Sequence, residues 1–223
     1  MIALLTSRSH KTELARATQT FYHHCYQVNA TWPLFVVALL HQASAVGVTA
    51  PDRFVESGRT WEQFLAGVSA QREVWLKTES AVTVPLDFIE RAKKVSRGLR
   101  LLVVAEDWCP DSAYSVPYVA RLAQAAGIPL RVIDRAAGEP LMLAHRTSDG
   151  RTATPTIVVL RNGRDVGAWV ERPAELQQLF LSMSTNPENA QRFSLRHLWY
   201  ESDGGLTVLK EVLALIDQTS EKK

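Results

Sequence analysis

The chain has 223 residues, a formal net charge of +2 and 46% hydrophobic residues, enough for one well-filled core with extensions. Its 25 Lys and Arg are scattered among 23 Asp and Glu, so no dense basic stripe offers itself to nucleic acid or to an acidic membrane surface. The only two cysteines, Cys25 and Cys109, stand far apart and imply no disulfide framework.

The N-terminal part, taken as residues 1–54, reads as a helical or targeting extension. Arg8, His10, Lys11 and Arg16 face one acid, Glu13, and an apolar stretch runs from Trp32 to Ala50. Its core, Leu34 to Leu40, is too short to cross a bilayer, so no stable membrane span is expected. Val48-Thr49-Ala50 places small residues where a signal peptidase acts. Three readings stay open: a helical extension packed on the domain, a signal sequence with a long basic start, or a stretch upstream of the working protein. A cytoplasmic location is expected, with export as the alternative if this stretch is a signal. His23, His24 and Cys25 are adjacent, point in different directions and lack a second ligand pair, so no metal site is expected.

Thr60 suits the N-cap of a helix with Trp61, Phe64, Leu65 and Val68 on one face. Pro85 opens another, with Leu86, Ile89, Ala92 and Val95 on a face and Gly98 as its stop; its Arg91, Lys93 and Lys94, with Arg97 beyond, read as a solvated face. Leu101 to Ala105 is a buried strand. A helix follows through Val116, Val119, Leu122 and Ala123, kinked at Pro117 and ended by Gly127. Leu130 to Ile133 is the next strand, and this order implies a right-handed parallel crossover. Glu139 to Arg146 forms a short helix, Ile157 to Leu160 a strand, and Asn162-Gly163 a hairpin turn into Asp165 to Val170. A helix after Pro173 turns Leu176, Leu179 and Phe180 inward, and a last one after Gly204-Gly205 carries Leu206, Leu209, Leu213 and Ile216. Residues 218–223 form a charged tail.

Chemistry concentrates in Trp108-Cys109-Pro110-Asp111-Ser112. Pro110 suits a first helical turn, which makes Cys109 the N-cap with unpaired N–H groups and the positive dipole end beside its sulfur. That arrangement favours a nucleophilic thiolate, while Glu106, Asp107 and Asp111 oppose it by charge. Ser112 stands where a resolving cysteine would complete a dithiol cycle; it can donate a hydrogen bond to sulfur but cannot form a disulfide. Trp108 is placed either to contact a substrate or to pack, and His145 reads as a surface or helix-end residue.

The order of elements, the Trp108–Ser112 motif, Pro117 and Thr154-Pro155-Thr156 together resemble the thioredoxin fold. More narrowly, the chain resembles a thioredoxin-like bacterial family with Trp-Cys-Gly/Pro-Asp-Ser/Ala/Cys at its site, a Trp-x-x-Arg-Pro element, here Trp169 to Pro173, and a Trp-Tyr pair, here Trp199-Tyr200. The resemblance covers about residues 55–217 and implies an α/β, thioredoxin-like domain with a mixed four-stranded central sheet flanked by helices. It also implies that Cys109 is the attacking cysteine and Pro155 a cis-proline. Trp108, Pro110, Thr154 and Pro155 then form the substrate-binding groove around catalytic Cys109 and Ser112.

Two functions compete. One is single-cysteine thiol-disulfide exchange with protein or small-molecule thiols and disulfides. It needs no resident cofactor, and glutathione or another small thiol serves as co-substrate. The other is a non-catalytic binding module that holds a peptide or protein partner in the same groove. A third arrangement makes Cys25 a distant resolving cysteine, which requires its Cα within about 7 Å of that of Cys109.

Overall fold

The computed structural model describes residues 52–183 and 190–221. The expected extension up to residue 51, with His23, His24 and Cys25, lies outside the described residues.

Thirteen elements follow one another: α1 (Asp52–Ser57), α2 (Trp61–Gly67), α3 (Arg72–Ala81), α4 (Leu86–Val95), β1 (Leu99–Val104), α5 (Pro110–Ala126), β2 (Leu130–Ile133), α6 (Arg135–Ala144), β3 (Thr156–Arg161), β4 (Arg164–Val170), α7 (Ala174–Ser182), α8 (Ala190–Asp203) and α9 (Leu206–Glu221). The sheet order is β2-β1-β3-β4. β1 and β2 are parallel, with Leu101 opposite Leu130 and Val103 opposite Val132, whereas β3 runs antiparallel to both β1 and β4. This is the expected mixed four-stranded sheet.

Period-two alternation explains why the strands read as unbroken apolar runs: both faces are covered. Leu99, Leu101, Val103, Ile157 and Val159 join the core beneath α4, α5 and α9. Leu102, Val104, Val158 and Leu160 point the other way, onto Leu141 and Met142 of α6, with Phe54 and Val55 of α1 packed at the side. Each fully buried leucine contributes about 1.5–3 kcal/mol relative to exposure. α6 can lie this close because Gly138 has no Cβ; one would come within 2.5 Å of both Val104 methyl carbons. Arg59 pairs by two backbone bonds with Val132 and so covers part of the β2 edge.

Thr60 caps α2 as expected, in a reciprocal capping box with Gln63. α5 runs without interruption through Pro117 to the left-handed Gly127. Several expectations need correction. α6 starts at Arg135 rather than Glu139, because the Asp134 carboxylate accepts from the Ala137 amide at 2.8 Å and caps it there. Leu179 and Leu206 are not inward; they are 37% and 38% exposed, at the margins of stripes whose buried members are Leu176 and Phe180, and Leu209, Leu213 and Ile216. α9 extends to Glu221, into the expected charged tail. α3 and α8 were not anticipated: α3 buries only Trp75 and Thr78, too thin a stripe to read among Arg72, Glu73, Lys77 and Glu79.

Candidate functional site

Cys109 is the N-cap of α5, with Pro110 as the first helical residue and the Ala113 amide donating to the Cys109 carbonyl at 3.0 Å. Its side chain makes no capping bond, so the first turn is left without a side-chain acceptor. The thiol instead donates to the carbonyl of Thr154 at 3.2 Å. The Thr154-Pro155 peptide bond is cis. This loop is fixed from both sides, by the Thr156 hydroxyl donating to the Ala153 carbonyl at 2.7 Å and by the Glu171 amide donating to the Pro155 carbonyl at 2.7 Å. Cys109, Thr154 and Pro155 are therefore brought together, with Cys109 and Thr154 each 6% exposed.

Ser112 lies one turn along α5 and is fully buried, yet its hydroxyl has no hydrogen-bond partner among the described residues. Such a group costs about 1–3 kcal/mol when left unmade. Trp108 is 54% exposed, so its indole is not core packing but an apolar surface beside the buried thiol.

Each of the three acids near Cys109 is held by donors of its own. Glu106 accepts from the backbone amide of Arg135 at 2.7 Å, at the start of α6. Asp107 accepts from the amides of Ser69 and Ala70, at 3.0 and 2.9 Å, and from the Ser69 hydroxyl. Although burial pushes the Asp107 carboxyl up, those donors hold it below its ordinary range. The same loop is tied again by the Trp75 indole donating to the Asp107 carbonyl at 2.8 Å, and by Gln71 donating to the Trp108 carbonyl. The α2–α3 segment thus braces the loop that presents Cys109.

Asp111 is buried and charge-compensated. It accepts from Arg172 at 2.9 Å, from Arg196 at 3.3 Å and from the Tyr200 hydroxyl at 3.1 Å. Burial pushes its carboxyl up, and the two guanidinium groups oppose that. Burial and then the Asp111 charge raise the Tyr200 phenol well above its ordinary value, so it remains a donor. Arg172 also donates to Glu171 at 2.6 Å and lies over the Phe180 ring at 4.4 Å. Glu171 takes both amino groups of Arg151, at 3.2 and 2.8 Å, and Arg151 reaches Asp149 at 2.6 Å. An alternating chain of charge runs from Asp149 at the surface to Asp111 at the second residue of α5. Sequence reasoning did not assign Arg172, Arg196 or Tyr200 a role; the Trp-x-x-Arg-Pro and Trp-Tyr elements were the signal that could have found two of them.

His145 caps the end of α6 and bonds Asp165 at 2.6 Å, a helix-end role. Among the described residues, no group of three or more His, Cys, Asp or Glu converges to hold a metal ion, and no helix is long and apolar enough to cross a membrane.

Residues 58–190, more than half of the chain, match the sequence model of the family described as Thioredoxin. Two solved structures share the fold. One is a protein of unknown function from Pseudomonas aeruginosa, 21% identical, with a TM-score of 0.60 over 75% of this chain and 97% of that one. The other is an HIV epitope-scaffold, 24% identical, with a TM-score of 0.56 and the same coverage of 75% and 97%. No curated protein matches. The chain belongs to the thioredoxin family.

Proposed function

We propose that the protein carries out thiol-disulfide exchange through the single cysteine Cys109, with an external thiol of the glutathione class completing each cycle. The observation that carries this reading is the uncapped N-cap thiol bonded to the carbonyl that precedes the cis-proline, with an unpartnered Ser112 hydroxyl one turn away.

In the forward step the Cys109 thiol gives up its proton, and with it the bond to Thr154. The thiolate then attacks one sulfur of a substrate disulfide, forming a mixed disulfide and releasing the other sulfur as a thiolate. An external thiolate attacks that mixed disulfide, restores Cys109 and leaves with the substrate sulfur as a new disulfide. The Ser112 hydroxyl, buried and without a partner one turn along α5, supports the negative sulfur in both steps. Trp108, Pro110, Thr154 and Pro155 form the groove that receives the substrate. The bacterial family with Trp-Cys-Gly/Pro-Asp-Ser/Ala/Cys at its site is the one to which this assignment extends. Incubating reduced protein with cell extract and recovering partners linked through Cys109 tests the reading; their absence from extract that forms mixed disulfides with a control thiol protein overturns it.

A second reading, a binding module without redox chemistry, is favoured by the 6% exposure of Cys109 beside a half-exposed Trp108. Partner capture by Cys109→Ser under reducing conditions separates the two: capture equal to wild type supports binding alone.

A further inference from the structure

The chain leaves β4 through a turn of an uncommon kind. The Arg172 amide donates to the Val170 carbonyl at 2.9 Å, and Glu171 between them takes a left-handed φ of 67°. A bond closed across one residue at positive φ is the rarer hand of γ-turn, strained for any residue with a Cβ. Glycine would relieve it. The position nevertheless holds a glutamate, and a buried one. Backbone strain of this kind persists where the surroundings over-determine it.

Here the surroundings are the two walls of the thiol site. Through its backbone, Glu171 donates to the Pro155 carbonyl at 2.7 Å, one residue from the Thr154 carbonyl that accepts from Cys109. Through its side chain it reaches the other wall. Its Oε1 accepts from Nη2 of Arg172 at 2.6 Å, and the same Nη2 donates to Asp111 Oδ2 at 2.9 Å, two residues past Cys109. Among the described residues Arg172 Nε is buried without a partner, so the two carboxylates and the Phe180 ring orient the guanidinium. Arg151 anchors Glu171 in turn with both of its amino groups.

We propose that Glu171 is a positioning residue: it couples the Thr154-Pro155 loop to the start of α5 and so sets the hydrogen bond between the Cys109 thiol and the Thr154 carbonyl. The consequence for turnover rests on the exchange reading given above. The geometric role does not.

The infrared S–H stretching band reports that hydrogen bond directly, because a carbonyl acceptor lowers its frequency. Subtracting from each protein the spectrum of the same protein carrying Cys109→Ser isolates Cys109, since Cys25 is present in both. In Glu171→Gly the band is expected to move up in frequency, toward that of a free thiol, although glycine relieves the turn. Glu171→Ala should displace the band as far but melt at a lower temperature than Glu171→Gly, because alanine keeps the strain. Glu171→Gln keeps an acceptor oxygen for Arg172 and should bring the band back toward wild type. A role in stability alone would instead make the band follow the melting temperature across the three variants. For a small disulfide, kcat should fall roughly tenfold in Glu171→Gly with KM unchanged, since a buried positioning residue does not contribute to substrate binding. Absence of turnover in wild type would defeat the exchange reading and leave the band to decide the geometric role. A wild-type band in Glu171→Gly, or a band that tracks the melting temperature, overturns the proposal.

Discussion

For Cys109 to attack, the thiol proton that it now donates to the Thr154 carbonyl must leave, and the sulfur must find a new donor. Ser112 is suited to that task because its hydroxyl is buried and unmade. This yields an unusual pair of expectations for Ser112→Ala. Removing an unsatisfied hydroxyl should leave stability unchanged or raise it by up to about 1 kcal/mol, measured by denaturant unfolding, while disulfide exchange slows roughly tenfold. An unchanged rate would remove Ser112 from the mechanism. Ser112→Cys should convert the protein to a dithiol enzyme that forms an internal disulfide on mild oxidation, detectable by mass spectrometry; two persistent free thiols would contradict the placement. At the far end of the charge chain, the Arg151 guanidinium holds Asp149 down at about 2. Its folded carboxyl therefore binds a proton less readily than in the unfolded chain. The stability it adds is present above the ordinary carboxylate value of about 4 and is lost as pH falls through about 2. Asp149→Asn should flatten stability across that acidic window and leave it unaltered in shape at neutral pH.

Two sets of bonds decide where α5 begins relative to its neighbours. Arg172, at the exit of β4, and Arg196 and Tyr200, on α8, converge on Asp111. Arg172→Met removes the guanidinium closest to a buried carboxylate and should cost about 3–5 kcal/mol in denaturant unfolding. Adding Asp111→Asn to it should recover part of that loss, because the uncompensated charge goes as well. On the other side, Asp107 ties the α2–α3 turn to the cysteine loop. Asp107→Ala should cost about 1–3 kcal/mol and speed hydrogen exchange at the Ser69 and Ala70 amides; exchange as slow as wild type would show that the turn holds itself.

At the scale of the molecule, the central sheet and the helices that carry strong apolar stripes were legible, because both depend on local pattern. The approach of Cys109 to Thr154 was legible only through the resemblance, since no local rule links positions 45 residues apart. The partners of Asp111 were hidden for the same reason: two positions from Cys109 in sequence its charge is plain, but at the second residue of α5 it pairs with an arginine 61 residues away. α3 and α8 escaped notice because much of what positions them is polar contact with other elements, such as Lys77 with Glu201 and Tyr114 with His197. What the whole assembly produces is one cysteine, held between a helix start and a cis-proline loop, with no second cysteine at the adjacent turn. The most direct measurement of that claim is steady-state reduction of a small disulfide by the 223-residue chain, with and without added glutathione, beside Cys109→Ser. Turnover that requires both glutathione and Cys109 is the predicted result; turnover equal in wild type and Cys109→Ser, or none in either, would contradict it.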